Sequence, residues 1–150
     1  MSTLIRWSTV LVVAAAFLLA NPTCVFACSC LPPGTPQEEL GRSDAVFAGK
    51  VVGLTGRVDG GAVETVDVTF EVSQVWKGAA SRTVQLQTPG SSASCGFNFE
   101  QGREYVVYAS QQEGSLTSGL CSRTTLLASA ADDLAALGTG TAPSGEAETP

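Results

Sequence analysis

The plainest pattern in the chain is a strict alternation over "VETVDVTFEVSQVW". Val66, Val68, Phe70 and Val72 fall on one face, with Asp67, Thr69 and Glu71 opposite, the two-residue period of a half-buried strand. The period slips after Ser73, and Val75 takes the inner face. One extra residue in a long strand is what a β-bulge supplies, and bulged strands turn the corners of small barrels. "AVFAGKVVGL", residues 45–54, is a second apolar run, with Gly49 marking a bend or bulge. "SRTVQLQT", residues 81–88, predicts a third strand with Val84 and Leu86 inward. "REYVVYAS" and "SLTSGLC" pair across "QQEG", while "TGRVDGGA" and "PGSSAS" read as loops.

Two short helices flank the strands. Thr35, Pro36 and Glu38 form a helix start, with proline in the first turn and an acid near the N-terminus, and the helix ends near Gly41. "SAADDLAALG" predicts a second, with Ser129 as N-cap, Asp132 in the first turn, Leu134 and Leu137 apolar, and Gly138 as terminator. The acidic pairs at 38–39 and 132–133 read as solvated helix surface. Residues 139–150 carry no large apolar side chain and are expected to be disordered. The sum is an all-β chain with short helices: a five-stranded β-barrel of the OB-fold type, closed by a C-terminal helix.

The first 27 residues read differently. Arg6 precedes the apolar stretch "VLVVAAAFLLA", and "VFA" places small residues, Val25 and Ala27, for a cut before Cys28. Residues 1–27 are therefore expected to be a signal peptide, 28–138 the folded domain and 139–150 its tail. The apolar stretch is too short for a stable span, and no later segment is long and apolar enough to cross a membrane. The expected product is secreted and monomeric. A lipoprotein anchored through Cys28 is the alternative, since "VFAC" partly resembles a lipidation site, although Phe26 is bulky and Val25 stands where leucine is preferred.

Export changes the cysteine arithmetic. Of five cysteines, Cys24 leaves with the leader, and the even set Cys28, Cys30, Cys95 and Cys121 reads as two disulfides. Three pairings are possible. A Cys28–Cys30 bridge is strained by its one-residue spacer, and either remaining pairing staples the N-terminal segment to Cys95 and Cys121. Closing loops of such length constrains the unfolded chain by on the order of 4 kcal/mol each. A zinc site built from all four cysteines is the competing use of these sulfurs, but a one-residue spacing is not that of a zinc knuckle.

Charge and composition exclude more than they select. The chain carries a formal net charge of −6 at pH 7 and no histidine. Acidity with scattered basic residues disfavours a phosphate backbone, so no nucleic-acid partner is expected. Without histidine the usual base at neutral pH and the Ser-His and Cys-His nucleophile pairs are missing, so the chain is not read as an enzyme. It is expected to carry no cofactor of its own. A stapled, exposed N-terminal residue does offer chemistry, however. Its free α-amine and carbonyl oxygen can close a five-membered chelate on the open position of another protein's zinc.

With these features in place, the chain resembles the N-terminal inhibitory domain of the tissue inhibitors of metalloproteinases, within the wider netrin-like OB-fold group. The resemblance rests on "CSCLPP", "SDAVFAGKVV", "VTFEVSQVWKG", "SCGF", "EYVVYAS" and "LCSRTTLLASA", in the family's order. It implies bridges Cys28–Cys95 and Cys30–Cys121. It also implies inhibition of a zinc metalloendopeptidase, with the Cys28 amine and carbonyl on the target's zinc. Ser29 would enter the pocket beyond the scissile bond, Cys30, Leu31 and Pro32 would follow the cleft, and Ala93 and Ser94 would add a second contact. The chain departs from the family in lacking a third cysteine pair in this domain and in its short "TGRVDGGA" loop. A netrin-like binding module without a protease target, secreted or lipid-tethered, is the other reading.

Overall fold

The computed structural model describes residues 28–59, 62–78 and 81–145. The expected leader, residues 1–27 with Cys24, lies outside the described residues, as do 60–61, 79–80 and 146–150. Among the described residues the elements are α1 (Pro36–Arg42), β1 (Ala45–Asp59), β2 (Ala62–Lys77), β3 (Thr83–Pro89), β4 (Glu104–Gln112), β5 (Ser115–Thr117), β6 (Thr125–Leu126) and α2 (Ala131–Leu137).

Five strands close a ring. β1 pairs with β2, β2 with β3, β3 with β5, β5 with β4, and β4 returns to β1. β6 adds a short sixth strand on β4. The β3–β5 contact is parallel, Gln87 against Thr117, while the other pairings are antiparallel. A closed ring removes the unpaired edges that invite aggregation. Together with the C-terminal helix, the arrangement is consistent with the expected OB type.

The predicted slip in β2 is a register shift at Ser73. Ala48 faces Gln74 and Gly49 faces Val72, leaving Ser73 unopposed, with its hydroxyl donating to the Ala48 carbonyl at 3.2 Å. Gly49 is required at this corner because a Cβ there would stand 2.9 Å from the Glu71 carbonyl oxygen. The core inside the ring holds Phe47, Val51, Val68, Phe70, Val72, Val75, Val84, Leu86, Phe99, Tyr105 and Val107. Phe70 meets Phe47 and Phe99 edge-on, both with ring centroids 5.4 Å apart. Burying each such side chain contributes roughly 1.5–3 kcal/mol.

β1 and β4 do not alternate, and the structure gives the reason. Val46, Val106 and Tyr108 face outward onto a second cluster formed with Ala130, Leu127, Leu134, Leu137, Leu40 and Trp76. Strands covered on both faces read as continuous apolar runs, as "AVFAG" and "YVVYA" do. α1 begins as its sequence predicts: Thr35 caps it in a reciprocal capping box with Glu38. At its other end Lys77 donates to the carbonyls of Leu40 and Gly41.

Several expectations need correction. Most of "TGRVDGGA" is strand, because β1 runs to Asp59 and β2 starts at Ala62, with those two residues paired. Ser129 lies in a short 3-10 turn rather than at the N-cap; Ala130 holds that position with no side-chain cap. The ordered chain also passes residue 138. Thr141 exchanges backbone hydrogen bonds with Val75 at 2.8 and 2.9 Å. Asp133, expected in a solvated pair, is buried at 5% exposure.

Candidate functional site

The site is assembled on a pair of glycines. An antiparallel bridge joins Gly96 to Gly119, and the Leu120 N–H donates to the Cys95 carbonyl at 2.8 Å. A side chain at Gly96 would overlap the Pro89 carbonyl oxygen, and one at Gly119 would stand 2.5 Å from the Cys95 carbonyl oxygen. Gly119 thus lets its backbone approach Cys95 closely, and Gly96 lets the Cys95 segment pack against Pro89. This approach places Cys95 and Cys121 side by side, although they stand 26 positions apart in sequence. Cys95 itself is left-handed, with φ 66°. It closes a 3-10 turn, Ser92–Ser94, in which the Ser94 N–H donates to the Ser91 hydroxyl.

Onto this base the N-terminal segment is stapled twice. Cys28 is bridged to Cys95 and Cys30 to Cys121, with Cα separations of 5.0 and 5.1 Å. The pairing is the one the family resemblance implies. The two bridges pack against each other: the Cys28 sulfur lies 3.7 Å from that of Cys30 and 3.8 Å from that of Cys121. The four sulfurs that a zinc site would use lie within 4.8 Å of one another, but all are bonded in pairs and offer no thiolate.

The far end of the segment is held without covalent bonds. The Gly34 N–H donates to a Glu39 carboxylate oxygen at 2.9 Å. The Gly34 carbonyl accepts from Arg123 Nη1, also at 2.9 Å. Arg123 is itself fixed by Asp133 on α2, through Nε–Oδ1 at 2.7 Å and Nη2–Oδ2 at 3.2 Å. The Tyr108 hydroxyl donates to the same carboxylate at 2.7 Å. Burial, and then the neighbouring Asp133 carboxylate, push the Tyr108 phenol well above its ordinary range, so it stays a donor.

Between these anchors residues 29–33 are exposed and belong to no helix or strand, and Leu31 is 88% exposed. Pro32 and Pro33 restrict φ and remove two backbone donors. The segment "SCLPP" carries no ionisable side chain outside its bridge. It can therefore offer backbone oxygens, amides and apolar contact, but no proton transfer. Of the residues singled out from the sequence, Cys28, Ser29, Cys30, Leu31 and Pro32 form this strip. Ala93 and Ser94 are exposed on the turn that ends at Cys95, one bridge away from Cys28.

Arg123, Asp133 and Tyr108 were not among those residues. A signal for Asp133 existed: Ala130, Asp133, Leu134 and Leu137 stand at i, i+3, i+4 and i+7, so the aspartate lies on the apolar stripe of α2. An acid there needs a buried partner. The sequence does not say which one.

Comparison with known proteins points to a family. The family described as tissue inhibitor of metalloproteinase matches residues 26–129, more than half of the chain. An NTR domain-containing protein of Margaritifera margaritifera is 37% identical over 87 residues, 54% of this chain and 56% of that protein. The chain thus spans about half the length of the curated relative it matches. Among the described residues, no helix is long and apolar enough to cross a membrane.

Proposed function

The chain belongs to the tissue inhibitor of metalloproteinase family, and from that membership we propose that it is a secreted inhibitor of zinc metalloendopeptidases. After removal of residues 1–27, the Cys28 α-amine and carbonyl oxygen take the open position of the target's active-site zinc. The observation that supports this is the double staple. Cys28 and Cys30 are fixed to Cys95 and Cys121 while the strip between them and Gly34 stays exposed. A wedge held in its binding shape loses little conformational freedom on docking.

The remaining roles follow from position along the strip. Ser29, next to the chelating residue, enters the pocket beyond the scissile bond. Cys30, Leu31 and Pro32 run along the cleft, and Ala93 and Ser94 touch the other wall. The inhibitor brings no metal of its own; the zinc is the protease's. No step of catalysis is assigned to this chain. Anchoring through an acylated Cys28 is disfavoured by the bridge, because a lipid on that sulfur would leave Cys95 unpaired.

One experiment separates this reading from a binding module without a protease target. The chain beginning at Cys28 is compared with the same chain carrying one extra alanine before it, against a panel of zinc endopeptidases. The extension should raise the inhibition constant at least 100-fold while both bridges and the thermal midpoint are retained. Equal inhibition by the two forms rules out the chelate, and no inhibition by either leaves the binding module.

A further inference from the structure

The strip of residues 29–33 has two ends, and the bridges secure only the first. Cys28 and Cys30 are covalently fixed, but Leu31, Pro32 and Pro33 extend beyond them, with Leu31 almost fully in solvent. The next firm contact is at Gly34. Its carbonyl accepts from Arg123 at 2.9 Å, across 89 positions of sequence. Arg123 is part-buried, with its side chain 24% exposed, and Asp133 beneath it is 7% exposed. Three of the guanidinium nitrogens are used, two on Asp133 and one on Gly34. A planar fork with fixed donor directions sets the third bond once the first two are made.

We propose that Arg123, oriented by Asp133 and Tyr108, is a positioning residue that fixes the downstream end of the exposed strip and keeps Leu31 and Pro32 in line with the bridged cysteines. Its importance for inhibition rests on the function proposed above; its effect on the strip does not. Through it, α2 at the far end of the chain becomes the backstop of the N-terminal wedge. Gln37 Nε2, donating to the Ala136 carbonyl at 2.9 Å, ties α1 to the same helix. Without the clamp the strip samples several orientations, and only the fraction already in line can bind at full strength.

The test must separate a clamp from a fold-stabilising ion pair. Removing Arg123 alone strands a buried carboxylate and can unfold the protein. The decisive variant therefore replaces the whole network, Arg123→Met with Asp133→Leu and Tyr108→Phe. Buried pairs exchanged for apolar residues of similar volume commonly keep their stability. Arg123→Lys is the second variant: it retains the charge against Asp133 but lacks the rigid fork. Pro32 and Pro33 have no N–H, so the reporters are the Leu31 and Gly34 amides and the Leu31 methyls, followed by NMR relaxation on the disulfide-intact chain. In the triple variant the Leu31 order parameter should fall from about 0.8 to below about 0.6, with the core amides unchanged. The lysine variant should fall between. For a protease that the parent inhibits, the inhibition constant should rise about tenfold. Unchanged Leu31 order in both variants overturns the clamp. If the parent inhibits no protease but the strip loosens as expected, the clamp stands and the functional reading fails.

Discussion

Two arginine–aspartate pairs in this molecule have the same shortest distance and very different surroundings. Arg57 and Asp67 meet at 2.7 Å across the β1–β2 hairpin, with side chains 59% and 32% exposed. Arg123 and Asp133 meet at 2.7 Å beneath the N-terminal strip, 24% and 7% exposed. Both are bidentate. The first sits on a ladder that is already paired and adds little to it. The second replaces water around a buried carboxylate and holds a segment that no ladder reaches. Geometry alone does not rank such contacts; solvent does.

The sharpest way to break the contrast is to remove the base on which the strip is stapled. Gly96→Ala puts a side chain into the Pro89 carbonyl, so the backbone at 89 or 96 must move, which disturbs the bridge from Gly96 to Gly119. We expect destabilisation on the order of 4 kcal/mol or more, the range reserved for such overlaps, and scrambled pairing of the four cysteines. Denaturant unfolding and disulfide mapping by mass spectrometry check both.

Next in size is the buried pair. Arg123→Ala should cost about 3 kcal/mol, because it strands Asp133 where hydration is poor. Arg57→Ala should cost far less, because its exposed pair is screened by solvent, and should lose even that in high salt. A urea titration of the two variants at low and high salt tests the ranking; equal losses would remove the distinction.

The two networks should also respond at opposite ends of the pH scale, one through Tyr108 and the other through Asp67. Tyr108 has a raised folded pKa, first from burial and then from Asp133. Its contribution is complete below the unfolded phenol value, about 10, and declines as pH rises above it. Alkaline loss of stability should therefore be smaller in Tyr108→Phe than in the parent between about pH 10 and 12. Asp67 has a depressed folded pKa, first through its hydrogen bond from Arg57. Its smaller contribution is present above the unfolded carboxyl value, about 3.9, and is lost as pH falls below it. The gap between parent and Asp67→Asn should be flat from about pH 5 to 8 and close below about pH 4, as read from thermal midpoints.

The same contrast explains what could be read in advance. The alternation in β2, the slip at Ser73, the inward Val84 and Leu86 and the cap at Thr35 are local, and each is visible within a few residues. "TGRVDGGA" misled because its glycines and aspartate look like a loop, whereas pairing with β2 carries the strand on to Asp59. Asp133 misled because an adjacent acid suggested solvent, although its place on the stripe of α2 pointed inward. Thr141 has no large apolar side chain to announce it; its N–H, carbonyl and hydroxyl are all held by the backbone of Val75. The cysteine pairing was open in the residues themselves and was narrowed only by the likeness to a family.

By itself the sequence determined which faces of the strands turn inward, because burial on a pleated sheet repeats every two residues and needs no distant partner. It also determined which positions admit a close turn, since only glycine lacks the Cβ that would collide. Tertiary structure alone decided that Cys95 stands beside Cys121 and that Gly34 meets Arg123. Those contacts join residues tens of positions apart, and a contact of that range leaves no periodic trace along the chain: it exists only once the ring has closed.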